Sequence, residues 1–141
     1  MGRSTTSGYF RQKGKNGATP AVMLASVEVT FDPTQANTTG TGVFLPAGAA
    51  PTFAKITNAG ATGGATPTVD VGLSGGNADA LIAEGDADTA SAALVTSGTS
   101  LDTALTANTE ITAGVGASAA TGGTVTARVF YYMVDDQTDS N

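Results

Sequence analysis

Along this chain, short stretches alternate between apolar and polar residues, and clusters of Gly, Pro and Asn separate the stretches. Met23, Ala25, Val27, Val29 and Phe31 share one side of a period of two, with Leu24, Ser26, Glu28 and Thr30 on the other. That period predicts a strand with one buried face. Asp32-Pro33 closes it, because proline has no N–H to give to a ladder. Residues 34–42 are rich in Thr, Asn and Gly and read as a loop. Val43-Phe44-Leu45 is a short apolar run before Pro46, and residues 52–57 read as a further strand. Val69, Val71 and Leu73 alternate with Asp70, Gly72 and Ser74 between two glycine pairs, which again predicts a strand.

The middle of the chain is less regular. Residues 78–84 fit one helical turn or an irregular crossing segment, while 92–96 and 101–106 are weak strand candidates rich in Ala and Thr. The pattern sharpens again towards the end. Ile111, Ala113, Val115 and Ala117 share a face, and so do Val125, Ala127, Val129, Tyr131 and Met133. Between these two strands, Ala120-Thr121-Gly122-Gly123 reads as a hairpin turn whose glycines accept positive φ. Seven or eight such strands predict an all-β fold, an antiparallel β-sandwich or jelly roll with an extended N-terminal arm. The expected organisation is an arm over 1–20, a sandwich domain over 21–134 and a flexible acidic tail over 135–141. The last strand has an unusual outer face, since it carries Phe130 and Tyr132 among the polar positions. These two residues are candidates for an oligomer interface.

Composition narrows the chemistry. The chain has no Cys, His or Trp, and Ala, Gly and Thr make up about half of it. There is therefore no imidazole base, no thiolate nucleophile and no N/S metal cage. Abundant Ser and Thr lack a base to activate them, and nothing in the spacing pairs one with Lys55. The acidic stretch Asp79–Asp88 lacks the spacing of an EF-hand and reads as a solvated loop. Residues 59–65 are glycine-rich without the Gly-Lys-Ser/Thr ending of a phosphate loop. No enzymatic activity, catalytic residue, metal or cofactor is expected. No apolar run approaches the roughly 18 residues of a membrane span, and no secretory signal is apparent.

Charge is informative through its placement. The formal net charge is −6, yet four of the six basic residues (Arg3, Arg11, Lys13 and Lys15) precede every acid, the first of which is Glu28. A basic arm thus leads into an acidic body. Tyr9 and Phe10 stand beside the arm's charges, a mixture suited to an interface hot spot. Arg3, Tyr9, Phe10, Arg11, Lys13 and Lys15 are the candidate binding residues of the arm. Nucleic acid is not an expected partner, because the acidic body repels phosphate.

The order of segments resembles a family of small virion proteins of tailed phages, many of them marine and cyanobacterial. The matching pieces are ASVEVTFD (25–32), LPAGA (45–49), TFAKIT (52–57), PTVDVG (67–72), the DAL segment with its acidic turn (79–88), LTANTEITAGV (105–115) and VTARVFYYMV (125–134). Members similar to this chain are capsid decoration (cement) proteins, head fibres or other β-sandwich virion components. The resemblance implies binding without catalysis. The expected location is the phage head surface, with the major capsid protein and further copies of the chain, as a homotrimer, for partners. A receptor- or glycan-binding module of a fibre, tail or neck is the alternative.

Overall fold

The computed structural model describes residues 24–88, 94–95 and 101–134. Two four-stranded sheets are formed from β1 (Ala25–Phe31), β2 (Gly40–Leu45), β3 (Ala49–Thr62), β4 (Thr68–Leu73), β5 (Ile82–Asp86), β6 (Leu94–Val95), β7 (Thr109–Val115) and β8 (Gly122–Met133). The first sheet has the order β1-β8-β3-β6 and the second β2-β7-β4-β5, and every ladder is antiparallel. Strands one and eight pair, as do two and seven, three and six, and four and five. A long hairpin of these four pairs, rolled into two layers, gives this order, which is the jelly-roll topology. The predicted all-β sandwich is therefore the observed fold, and no helix occurs among the described residues. The arm and the acidic tail lie outside the described residues.

Inward positions of both sheets make one core. Val29 and Phe31 of β1, Val125, Ala127 and Val129 of β8, and Ala54 and Ile56 of β3 meet Leu45, Val69, Val71, Leu73, Ile82, Ile111 and Ala113 of the second sheet. Each fully buried Val, Leu or Ile contributes roughly 1.5–3 kcal/mol. The many alanines among these residues contribute less apolar area each, so the central strand β8, hydrogen-bonded on both sides, is the backbone of the first sheet.

Several expectations are corrected. Ala120–Gly123 is not a hairpin turn, because β7 and β8 belong to opposite sheets. Gly122 and Gly123 instead open β8, paired with Thr62 and Ala61 of β3. Gly123 has φ +97°, and a Cβ there would strike the Gly60 carbonyl. In a rolled hairpin nearly every connection crosses between layers, and here only β4 to β5 stays within one sheet. Residues 78–84 form no helical turn. Leu81 donates its N–H to Val71 O, and β5 follows from Ile82. Residues 101–106 are not a strand, although Asp102 N bonds Pro51 O, Leu105 N bonds Ala49 O and Gly48 N bonds Leu105 O, so they line the start of β3. Part of the expected loop 34–42 belongs to β2, and β3 extends well beyond 52–57 to 14 residues. Ala117 is exposed beyond the end of β7.

Candidate interaction surface

The outer faces of the two sheets differ in what they carry. On the second sheet, the outward positions of β4 and β7 include Asp70, Gly72, Thr112 and Gly114, all buried. Loops of the same chain lie across them. A Cβ on Gly114 would meet the carbonyls of Gln35 and Ala36, and one on Gly72 would meet those of Asn77 and Ala78. Glycine is required at both places because loop backbone occupies the space of a side chain. Asp70 fastens this arrangement: its Oδ2 accepts from Asn37 Nδ2 at 3.0 Å and its Oδ1 from Glu84 N at 2.8 Å.

Glu84 itself stands at φ +54° within a bulge of β5. Its carboxylate accepts from Ala117 N at 2.8 Å and Thr68 Oγ1 at 2.6 Å, tying β5 to the loop after β7. The acidic stretch 79–88 is thus a strand and its entry rather than a solvated loop, with Ala80, Leu81 and Ile82 fully buried. Sequence reasoning missed this because a carboxylate that receives backbone N–H groups looks, in one dimension, like any surface acid. Asp32 has a similar local task. Thr34 N at 2.8 Å and Thr34 Oγ1 at 2.7 Å donate to its Oδ1, turning the chain after β1. Those bonds, the backbone one foremost, hold its carboxyl below the ordinary value of 3.8.

The outer face of the first sheet has no such glycines at its centre and carries large side chains in rows. Phe130 of β8 is paired with Ser26 of β1 and Phe53 of β3. The two phenylalanine rings stack at 4.4 Å with 17° between their planes. Tyr132 follows on β8, and Leu24, 52% exposed, precedes β1 on the same outward parity. The next row is charged: Glu28, Arg128 and Lys55 lie side by side. Arg128 bonds Glu28 Oε2 at 2.8 Å and Ser26 Oγ at 3.0 Å, whereas Lys55 has no ion pair among the described residues. A Thr30–Thr126 hydroxyl pair at 3.0 Å makes the third row. The face thus grades from apolar through charged to polar over three rows.

The predicted interface residues Phe130 and Tyr132 therefore lie together on this face, part-exposed. Phe53, Leu24 and Lys55 join them and were not singled out from sequence. The alternation in TFAKIT places Phe53 and Lys55 on one side, but only the strand order sets that side against Phe130. Arg3, Tyr9, Phe10, Arg11, Lys13 and Lys15 lie outside the described residues.

Other features offer little to a small molecule. A depression of about 90 Å³ lies between Thr38, Ser74, Gly76 and Thr112, beside the buried and unpartnered Thr112 Oγ1. Ligand clefts start near 300 Å³, so this one is too small for a metabolite. Among the described residues no three His, Cys, Asp or Glu side chains are grouped to hold a metal, and no helix is long and apolar enough to cross a membrane. No protein-family model matches the chain, and neither does any curated protein or solved structure.

Proposed function

We propose that this chain is a structural virion protein that decorates the outside of a phage capsid and stabilises the shell, working as a homo-oligomer, a trimer. The observation that carries the reading is the asymmetry between the sheets. One sheet covers the centre of its outer face with the chain's own loops and leaves the large apolar side chain of Phe44 exposed at its β2 edge, while the other groups Leu24, Phe53, Phe130 and Tyr132 beside a charged row. Apolar centres with a polar rim suit association between proteins. The jelly roll is shared by capsid and lectin domains, which adds weight by analogy of fold alone, and the order of sequence segments supports the virion setting.

In this reading Phe130 and Tyr132 join copies to one another. The basic arm, with Arg3, Tyr9, Phe10, Arg11, Lys13 and Lys15, lies against acidic surface of the major capsid protein. Many copies, each held modestly, bridge neighbouring capsomers through avidity. The chain catalyses nothing and needs no cofactor. The test is co-sedimentation of the purified protein with empty shells. Saturable binding that weakens as salt rises is expected, together with loss of binding on deletion of residues 1–20. Undiminished decoration by the truncated protein would remove the arm from the account. The alternative, a receptor- or glycan-binding module, draws on the same aromatic face, and binding to a glycan array without binding to shells would favour it.

A further inference from the structure

Four strands lie at the edges of this sandwich, and three of them are poor templates for another strand. β2 is interrupted by a bulge between Gly40 and Phe44, with Gly42 at φ +77°. β5 is five residues long and broken by the left-handed Glu84. β6 has two residues. Short length, bulges and left-handed residues are the usual ways in which sheet edges are blunted against further pairing. β1 has none of these. It runs for seven residues, ASVEVTF, with no Gly, Pro or bulge, in unbroken register with β8. Its residues make no backbone hydrogen bond to anything other than β8 among the described residues. A straight row of unsatisfied N–H and C=O groups is an acceptor for an extended segment.

The side chains on that edge indicate what the segment carries. Ser26, Glu28 and Thr30 face outward along β1. Glu28 is 49% exposed, and among the described residues Arg128 engages only its Oε2. Pairing of β1 with its own copy about Glu28 sets two carboxylates side by side, which is unfavourable. The described body adds nine acids to only two bases, Lys55 and Arg128, so the incoming strand is basic. This chain contains one such segment. From Tyr9 to Lys15 the sequence is YFRQKGK, in which Tyr9, Arg11, Lys13 and Lys15 fall on one side of a period of two and Phe10, Gln12 and Gly14 on the other. Laid beside β1, the first set runs next to Ser26, Glu28 and Thr30, within reach of the apolar end at Leu24. Residues 16–23 connect this segment to the described body and can span roughly 28 Å when extended, enough to reach an adjoining copy.

We infer that residues 9–15 of one copy add as a fifth strand to the first sheet of a neighbouring copy, along the free edge of β1. The inference rests on the self-association part of the function proposed above and amends its account of the arm: Tyr9, Phe10, Arg11, Lys13 and Lys15 then bind a neighbouring copy in place of the capsid protein, and Arg3 and the first residues are left for the shell. Exchange of this kind forms closed rings or chains of copies according to the angle between them.

The chain has no cysteine of its own, so disulfide scanning is clean. Single substitutions to Cys at each position from 9 to 15 are mixed, chain by chain, with Ser26→Cys or Thr30→Cys protein, and the full-length proteins are co-assembled and oxidised. Intermolecular disulfides are expected at the one or two odd-numbered positions that fall opposite residue 26 or 30 in the register adopted, with yields several-fold above those at 10, 12 and 14. Equal yields at all seven positions mean an arm that merely collides with the body, and overturn the inference. Absence of any disulfide overturns it too, as does a disulfide that forms only within one chain when both cysteines are placed there. If the scan fails while wild-type protein still assembles and binds shells, the strand exchange is wrong and the decoration role stands. If wild-type protein neither assembles nor binds shells, the broader reading has failed.

Discussion

The two outer faces of this sandwich solve opposite problems with the same strand geometry. In the second sheet the outward positions of β4 and β7 are small or polar, and the loops after β1 and β4 lie directly on these strands, permitted by Gly72 and Gly114 and fastened at Asp70, while Phe44 on the edge strand β2 stays exposed. In the first sheet the outward positions are Phe53, Phe130, Tyr132 and a charged row, and the glycines are pushed to the far end at Gly60, Gly122 and Gly123. One face is finished within the chain. The other carries groups whose best use is contact with another molecule. Substitutions on the second sheet should therefore cost stability and leave assembly alone, while substitutions on the first should act mainly on assembly and cost less stability.

The largest effect is expected at Gly114. A Cβ there would sit 2.4 Å from two backbone carbonyls of the loop, and backbone is not easily displaced. Gly114→Val should lower unfolding free energy by about 3 kcal/mol, read by urea denaturation. A stability equal to wild type would mean that the loop is not packed there. Asp70→Ala should follow at about 1–2 kcal/mol, because Glu84 N and Asn37 Nδ2 lose their acceptor in a part-buried place. On the opposite face, the Phe130→Ser, Tyr132→Ser pair should cost about 1–2 kcal/mol from lost ring stacking and partial burial. Its main effect should be on assembly.

The contrast between faces was only half legible in the sequence. Alternation identified β1, β4, β7 and β8 because each has one or two apolar faces of period two, and the Phe130 and Tyr132 anomaly lay in plain view. What could not be read was adjacency. The Gly122-Gly123 pair looks like a turn when β7 and β8 are assumed to be neighbours, and becomes a strand opening once β3 is the neighbour. Phe53 matters only because β3 lies beside β8. The loop over Gly114 depends on contacts between residues some eighty positions apart, which no local pattern encodes. The carboxylates Asp70 and Glu84 are structural for the same reason.

Smaller effects refine the comparison. Arg128→Ala removes an exposed ion pair with Glu28 and a bond to Ser26, and should cost no more than about 1 kcal/mol, less in high salt. A larger loss would mean that the charged row is part of the fold rather than of the surface. The smallest effect concerns Asp32, whose carboxyl is held below its ordinary 3.8 by the Thr34 N–H and hydroxyl. A folded value below the unfolded one gives a contribution that is complete above the unfolded value and is lost as pH falls through the folded value. Asp32→Asn should therefore lose that small contribution at neutral pH and, with it, the part of the acid sensitivity below about pH 4 that Asp32 supplies. An unchanged acid limb in denaturation curves would contradict this.

The most direct measurement is sedimentation velocity of the wild-type protein beside the Phe130→Ser, Tyr132→Ser variant, with circular dichroism to show that both are folded. The wild type is expected to sediment as an oligomer and the variant, folded but left with the arm's link alone, as smaller and more readily dissociated species. A wild-type protein that sediments as a monomer, or a variant that assembles as wild type does, would show that the first sheet's outer face is not where these molecules meet.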